Sequence, residues 1–127
     1  MRVNSRVTLN HRLIQRLDRA AVVSLEQTAE AVHTDVAQAQ VIPRDSGNLQ
    51  ENTFCDYSRS GSGLVQISTN ASQTPYARRL YYHPEYNFST AENPNARGRW
   101  YDDWINGDKK DFAEKTFAAL YRRNSGL

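Results

Sequence analysis

The chain has 127 residues, of which 39% are apolar and 24% charged, a size and makeup that fit one globular domain and argue against a two-domain enzyme. Its single cysteine, Cys55, excludes an internal disulfide and a multi-cysteine zinc site, and fits a reducing compartment such as a cytoplasm. No stretch approaches the roughly 20 apolar residues of a membrane span. We therefore expect a soluble, unprocessed protein without a membrane partner.

The net charge of +2 is unevenly distributed along the chain. Residues 1–19 carry five arginines and one aspartate, a net +4, whereas residues 20–58 carry one arginine and six acidic residues, a net −5. Such polarity suits head-to-tail contacts between copies of the chain. It suits a dedicated nucleic-acid binder less well, because the acidic segment would repel phosphates. We expect the arginines from Arg2 to Arg19 to form a solvated helix face, with DNA contact as the alternative.

Apolar residues with a spacing of three and four predict one long amphipathic helix over about residues 10–39. Asn10 or Thr8 can cap its start, and Pro43 is expected to stop it. At 1.5 Å per residue the helix would be roughly 45 Å long, more than the core of so small a domain, so part of it should overhang. Its charged face is expected to be solvated or to pack on a neighbouring subunit; the basic members are Arg12, Arg16 and Arg19.

Two alternating, β-branched runs predict a hairpin after this helix. The predicted strands are Thr53–Tyr57 and Leu64–Thr69. Val65 and Ile67 would face the core together with Phe54 or with Cys55, depending on the register of the strands.

The glycine-rich tip of the hairpin is a candidate contact segment. Gly61, Ser62 and Gly63 lack the lysine and the following helix of a phosphate-binding loop. We interpret them as a tip that reaches a neighbouring subunit or a central channel, where it would contact DNA; the alternative is a plain mobile turn.

Three shorter features follow in the second half of the chain. Thr74 and Pro75 are expected to start a short helix, with the threonine hydroxyl as its cap. Residues 83–99 are polar and read as a long exposed loop, a kind of segment that is usually functional or disordered. A helical period resumes at residues 100–105, and Asp108 can cap a last helix whose end is basic.

The sequence shows no arrangement of residues typical of catalysis. Asp102 and Asp103 are adjacent, which on a helix points them about 100° apart and prevents shared acid and base chemistry. His11 and His33 lack a second ligand at metal-binding spacing and are interpreted as surface histidines. Cys55 has no neighbour that would lower its thiol pKa, so we expect it to pack rather than react. We expect no enzyme activity, no cofactor and no metal.

Several short motifs occur along the chain in a characteristic order. They are Pro43 followed by Asp45-Ser46-Gly47-Asn48-Leu49, Pro75-Tyr76-Ala77, the pair Tyr81-Tyr82, Asn93-Pro94-Asn95-Ala96, and a tryptophan helix from Trp100. This order resembles the minor capsid proteins of long-tailed bacteriophages, in a branch similar to the HK97-type head–tail connector (neck) and tail-completion proteins. The most specific part runs over residues 74–104.

The resemblance extends over residues 1–127 as one domain. It implies an α+β fold in which the long N-terminal helix and C-terminal helices pack on a small antiparallel sheet. It also implies a structural protein of the virion neck, assembled in the host cytoplasm as a homo-oligomeric ring of six or twelve copies around the DNA channel. The ring would join portal or adaptor proteins on the head side to tail-terminator or tail-tube proteins, with non-specific DNA contact.

Aromatic and arginine residues are the candidates for the subunit interface, because tryptophan, tyrosine and arginine are enriched at such surfaces. The alternative for the aromatic members is packing in the domain core. The candidates, with the arginines of the first helix, are Arg12, Arg16, Arg19, Arg78, Arg79, Tyr81, Tyr82, Arg97, Arg99, Trp100 and Trp104.

A second hypothesis comes from a different class of protein. The arginines between Arg2 and Arg19 would serve a small nucleic-acid-binding or regulatory module, which predicts strongly salt-dependent DNA binding by the isolated chain. Under the first hypothesis, the segment 86–99 and the termini would order against neighbouring proteins of the neck.

Overall fold

The computed structural model describes residues 4, 6–44, 48–70 and 72–126, and it has the predicted α+β architecture. Arg2 and the motif residues Asp45, Ser46 and Gly47 lie outside that range. The elements in chain order are α1 (His11–Ala39), α2 (Asn48–Glu51), β1 (Thr53–Asp56), β2 (Gln66–Thr69), α3 (Ala77–Tyr81), α4 (Asp102–Ile105) and α5 (Phe112–Ser125), with one 3₁₀ turn (Ser60–Ser62) at the hairpin tip.

The start of α1 is capped as predicted. The side-chain carbonyl of Asn10 accepts a hydrogen bond from the backbone N–H of Leu13 at 3.0 Å, which satisfies one of the N–H groups that a helix start leaves unpaired. With 29 residues the helix is about 43 Å long.

Helix α1 ends at Ala39, as predicted, but a cap at Gln40 ends it rather than Pro43. Gln40 takes up the left-handed conformation with φ 58°, and its N–H donates to the carbonyl of Ala37. This cap turns the chain so that Val41 and Ile42, the next two residues, enter the core. Burial of two apolar side chains thus ends the helix ahead of the proline.

Helix α5 packs antiparallel along α1. At one end a guanidinium nitrogen of Arg16 donates to the carbonyl of Ser125 at 2.8 Å. At the other end the ammonium group of Lys109, just before α5, lies 3.2 Å from a carboxylate oxygen of Asp35. Helix α1 therefore has a partner along most of its length, and the predicted overhang is confined to its first turn and the preceding segment 6–10.

The seam between these two helices is small and polar. Ser24 is fully buried, and its hydroxyl accepts a hydrogen bond from the side-chain amide of Asn124 at 3.0 Å. The same amide donates to Gln27 at 2.8 Å, and the Thr28 hydroxyl donates to the Ser24 carbonyl. The buried polar groups of the seam are thus paired, as stability requires.

The hairpin is attached to α1 through its first strand. Cys55 pairs with Ile67 across the strands, so these two share the inner face, and Phe54, the other predicted possibility, is exposed on the outer face. The ring nitrogen Nε2 of His33 lies 3.0 Å from the carbonyl oxygen of Thr53. His33 therefore binds β1, a role that its interpretation as a surface histidine missed.

The core lies at the C-terminal end of α1. Residues from the helix, from the segment after it, from α2 and from the segment before α4 meet there. The fully buried members are Val36, Val41, Ile42, Leu49 and Trp100.

Two predicted helix caps are wrong. Thr74 does not cap α3; it is buried, and its hydroxyl donates to the carbonyl of Asn70 at 2.8 Å. Asp108 does not cap α5 either, because turns occupy residues 107–111 and the helix begins only at Phe112. In both cases the local signal is present but packing shifts the start of the helix.

The segment 83–99 has no helix or strand, as predicted, but hydrogen bonds hold it to the rest of the fold. The buried side-chain amide of Asn93 donates to the carbonyl of Ile42 at 2.7 Å and to Gln50 at 2.9 Å. The amide of Asn95 donates to the carbonyl of Ala39 at 2.9 Å. These asparagines supply donors to carbonyls at and just beyond the end of α1, which a helix leaves unpaired.

Candidate interaction surface

A tight corner at Gly98 and Arg99 shapes the exposed side of the molecule. A Cβ atom on Gly98 would lie 2.7 Å from Cα of Pro84, so only glycine fits. Arg99 follows with φ 47°, and its N–H donates to the carbonyl of Tyr81 at 2.9 Å. An L-residue in this left-handed conformation costs roughly 1–2 kcal/mol. The fold thus holds Arg99 in a strained backbone beside α3.

The guanidinium groups of two arginines lie close to the ring of Tyr82. The residue is 55% exposed, and its ring centroid is 5.8 Å from Cζ of Arg78 and 5.4 Å from Cζ of Arg99. Neither arginine forms an ion pair with any residue that the structure describes. We call these three residues the Tyr82 cluster. Two positive charges on a flat aromatic ring are suited to carboxylates, phosphates or backbone carbonyls of a partner.

Tyr81 connects this cluster to the core. Its ring meets Trp100 edge to face with centroids 4.8 Å apart, and meets Tyr82 in the same way at 5.1 Å. Burial raises the pKa of Tyr81, and the carboxylate of Asp102 raises it further. Trp100 itself is 3% exposed. The predicted aromatic candidates are therefore divided: Trp100 belongs to the core, Tyr82 to the surface, and Tyr81 lies between them.

A groove of about 720 Å³ runs between β2 and α3, next to the Tyr82 cluster. Ser68 and Thr69 of β2 line one side, and Arg78 and Tyr81 of α3, with Tyr82 directly after the helix, line the other. The remaining lining residues are Thr74, Pro75, Ala77, Trp100 and Tyr101. The lining of the groove thus combines apolar and aromatic side chains with polar ones.

Trp104 and Arg97 are engaged within the chain. The indole N–H of Trp104 donates to a carboxylate oxygen of Asp35 at 2.9 Å, and the ammonium group of Lys109 lies 4.8 Å from the Trp104 ring. Arg97 forms an ion pair with Asp103 at 2.9 Å. These contacts fix α4 to α1 and to the segment before it. Arg79, the remaining candidate on α3, is exposed.

The arginines of α1 are not equivalent. Arg16 donates to the last turn of α5, where a positive charge also complements the helix dipole. Arg12 and Arg19 are exposed. The hairpin tip, Gly61 to Gly63, is exposed as well, and Gly63 has a positive φ of 86°. These candidates lie on α1 and on the hairpin, whereas the Tyr82 cluster lies on α3 and the segment before α4.

The reactive side chains nearest the hairpin are shielded rather than activated. Burial, and then the negative charge of Glu30, raises the pKa of the Cys55 thiol to about 11, so that it is protonated at neutral pH. The hydroxyl of Tyr57 donates to the carboxylate of Glu30, and burial raises the pKa of Tyr57.

The described residues hold neither a metal-binding cluster nor a membrane-spanning helix. Within residues 4, 6–44, 48–70 and 72–126, no three histidine, cysteine or acidic side chains converge in a way that would hold a metal ion. In the same part of the chain, no helix has the length and hydropathy needed to cross a bilayer.

In comparisons with known proteins, no family, no curated protein and no solved structure gave a significant match to the chain.

Proposed function

We propose that the chain is a structural subunit of the neck of a tailed bacteriophage. In this proposal copies form a ring of six or twelve around the DNA channel at the head–tail junction of the virion. The ring joins portal or adaptor proteins on the head side to tail-terminator or tail-tube proteins. The order of motifs between residues 74 and 104 provides the neck assignment.

The Tyr82 cluster is the observation that carries the assembly role. Tyrosine and arginine dominate the residues on which protein interfaces depend, and here a tyrosine ring with two unpaired arginines is exposed beside an apolar groove. A strained backbone at Arg99 presents one of them. Strain of this kind concentrates at functional positions.

The charges in the described residues also support contacts between unlike faces of two copies. Arg6 and Arg12, near the start of α1, make no ion pair within the described ranges, and neither does Asp56 at the end of β1. The N–H of Ser58 lowers the pKa of Asp56, which keeps this carboxylate charged at neutral pH. Unpaired charges of opposite sign at separate places favour head-to-tail association.

The assembly part of the proposal is tested by exchanging Tyr82 for alanine. We expect Tyr82→Ala to lower the mass of the particles measured by light scattering while leaving the circular dichroism spectrum of the chain unchanged. Tyr86→Ala is the matched control, because Tyr86 is also an exposed tyrosine but stacks on His83 outside the cluster. Equal particle mass for wild type and Tyr82→Ala would contradict the proposal.

The location is tested in the virion. A label on this chain, viewed by electron microscopy, should appear only at the head–tail junction. Label distributed over the capsid shell would contradict the neck assignment.

DNA contact is the second candidate function, and the exposed side chains of Arg12 and Arg19 favour it. A regulatory module would bind a specific sequence, with an affinity that falls steeply as salt rises. A channel lining, with the hairpin tip at Gly61 to Gly63 as a possible contact, would bind DNA weakly and without sequence preference. Competition between specific and random duplexes at two salt concentrations distinguishes the two.

A further inference from the structure

The two edges of the hairpin are in different environments. The hydrogen bond from the N–H of Asn70 to the carbonyl of Asn52 fixes the ladder, because the pairing groups of an antiparallel strand alternate between its two sides. The backbone groups of Thr53 and Cys55 therefore point away from β2, and those of Ile67 and Thr69 point away from β1. On the β1 side the carbonyl of Thr53 meets His33 of α1.

The β2 edge has no such cover. Among the described residues, none forms a hydrogen bond with the outward N–H or C=O groups of Ile67 and Thr69. The groove beside the Tyr82 cluster borders this strand at Ser68 and Thr69. An unpaired strand edge next to an apolar groove is the arrangement that accepts an extended segment as an additional strand.

The segment before α1 has the properties of such a strand. Residues 6–10 form neither helix nor strand, and all of them are exposed. Val7 is 82% and Leu9 57% exposed, and their alternation places both side chains on one face of an extended chain. Arg6 and Thr8 would then lie on the other face.

This segment cannot reach the groove of its own chain. Hairpin strand β1 is held to α1 at His33, and α1 rises about 35 Å between Asn10 and His33. The residues from Val7 to Asn10 span about 10 Å when fully extended. Only another copy of the chain can therefore place Val7 in the groove.

We propose that residues 6–10 of one copy bind as an antiparallel strand along β2 of a second copy. Leu9 then pairs with Ile67 and Val7 with Thr69, so that both apolar side chains join the inner face of the hairpin. The start of the first copy's α1 lies next to the Gln66 end of β2, where unpaired Arg12 approaches unpaired Asp56. The inference rests on the self-association in the proposed function and specifies which surfaces meet.

A disulfide between two copies tests the pairing. In this register Thr8 faces Ser68 in a non-hydrogen-bonded pair, where Cα atoms lie about 4.5 Å apart, within reach of a disulfide. Chains with Thr8→Cys are mixed with chains that carry Ser68→Cys, both in a Cys55→Ala background, and oxidised. We expect a disulfide-linked dimer of the two chains. Thr8→Cys mixed with Val23→Cys, an exposed position on α1, is the control and should stay unlinked.

A pair of substitutions in the segment tests the same contact without a crosslink. Val7→Asp should raise the concentration for half-assembly by about tenfold or more, because one buried apolar side chain is lost and a charge is introduced. Thr8→Asp, on the opposite face, should have a much smaller effect. Both positions are exposed in the single chain, so neither exchange should reduce its stability.

The outcomes separate this inference from the proposed function. Assembled particles without a disulfide between residues 8 and 68 would overturn the binding of segment 6–10 to β2 and leave the neck proposal in place. Chains that stay monomeric and unlinked at every concentration would overturn both. A disulfide between residues 8 and 68 in particles that are absent from the head–tail junction would support the binding of segment 6–10 to β2 and contradict the neck assignment.

Discussion

The two ends of α1 are packed in different ways. At the C-terminal end, the closed end, Val36 and Trp100 lie in a fully buried apolar cluster, and side chains of the segment 83–99 cap the chain as it leaves the helix. At the N-terminal end, the open end, the seam with α5 is built from small and polar residues, and the apolar side chains of Leu13 and Ile14 are exposed. The main apolar cluster therefore lies at the C-terminal end of the helix, and apolar side chains of the first turn stay exposed.

The exposed apolar surface at the open end favours association with a partner. Apolar surface that stays in water contributes nothing to the stability of the single chain, but it stabilises a complex when a partner covers it. The open end also includes the segment 6–10, which forms neither helix nor strand, and Arg12, which is exposed and forms no ion pair with any described residue. The closed end stabilises the fold, and the open end carries the segment that a second copy would cover.

The largest expected effect is at the closed end. Trp100→Ala removes a buried aromatic side chain and leaves a cavity, which costs about 3–5 kcal/mol. Urea denaturation should show this loss, or the chain should fail to fold. Tyr82→Ala, whose ring is exposed, should change stability by less than about 0.5 kcal/mol. Similar losses for the two variants would contradict the distinction between core and surface aromatics.

A smaller effect is expected from the asparagine that caps the closed end. Asn93→Ala removes hydrogen bonds to the Ile42 carbonyl and to Gln50 at a buried position, and we expect a loss of about 1–3 kcal/mol. Asn87→Ala is the matched control on the same segment, since Asn87 is exposed. If both variants unfold at the same urea concentration, the Asn93 hydrogen bonds do not stabilise the chain after α1 in solution.

The seam of the open end should be less sensitive. Asn124→Ala removes hydrogen bonds to Ser24 and Gln27 at a half-buried position, which costs about 1 kcal/mol. Gln38→Ala, at an exposed position of α1, should have no measurable effect. A loss for Asn124→Ala larger than that for Asn93→Ala would reverse the order of the two ends.

Elements with a periodic local pattern were predictable from the sequence. The apolar spacing gave α1 with its Asn10 cap, and the alternating runs gave the hairpin. Its register was left open because Phe54 and Cys55 are both apolar and adjacent. The caps at Thr74 and Asp108 failed for a different reason. Local cap signals compete with burial, and only the folded chain shows that Thr74 is buried.

The surface was less predictable because its contacts join distant parts of the chain. Arg16 binds the carbonyl of Ser125 across 109 positions, and Asn93 binds that of Ile42 across 51. No local pattern indicates such pairs. Residue type marked tyrosines and arginines as candidates, but it did not separate the buried Trp100 from the exposed Tyr82. Nor did it indicate the left-handed backbone of Arg99, a conformation in which glycine or asparagine is expected.

The smallest expected effect on stability concerns the backbone of Arg99. Two substitutions at this position should differ in stability but weaken assembly alike. Arg99→Ala keeps an L-residue at φ 47°, whereas Arg99→Gly relieves the strain but gains freedom in the unfolded chain. We therefore expect the glycine variant to be more stable than the alanine variant by about 0.5–1 kcal/mol. Both variants lack the guanidinium over Tyr82, so both should assemble more weakly than wild type. Equal denaturation curves for the two variants would show that the strain is no larger than the stability that glycine loses through unfolded-chain entropy. Wild-type assembly of both variants would show that the Arg99 guanidinium does not contribute to the interface.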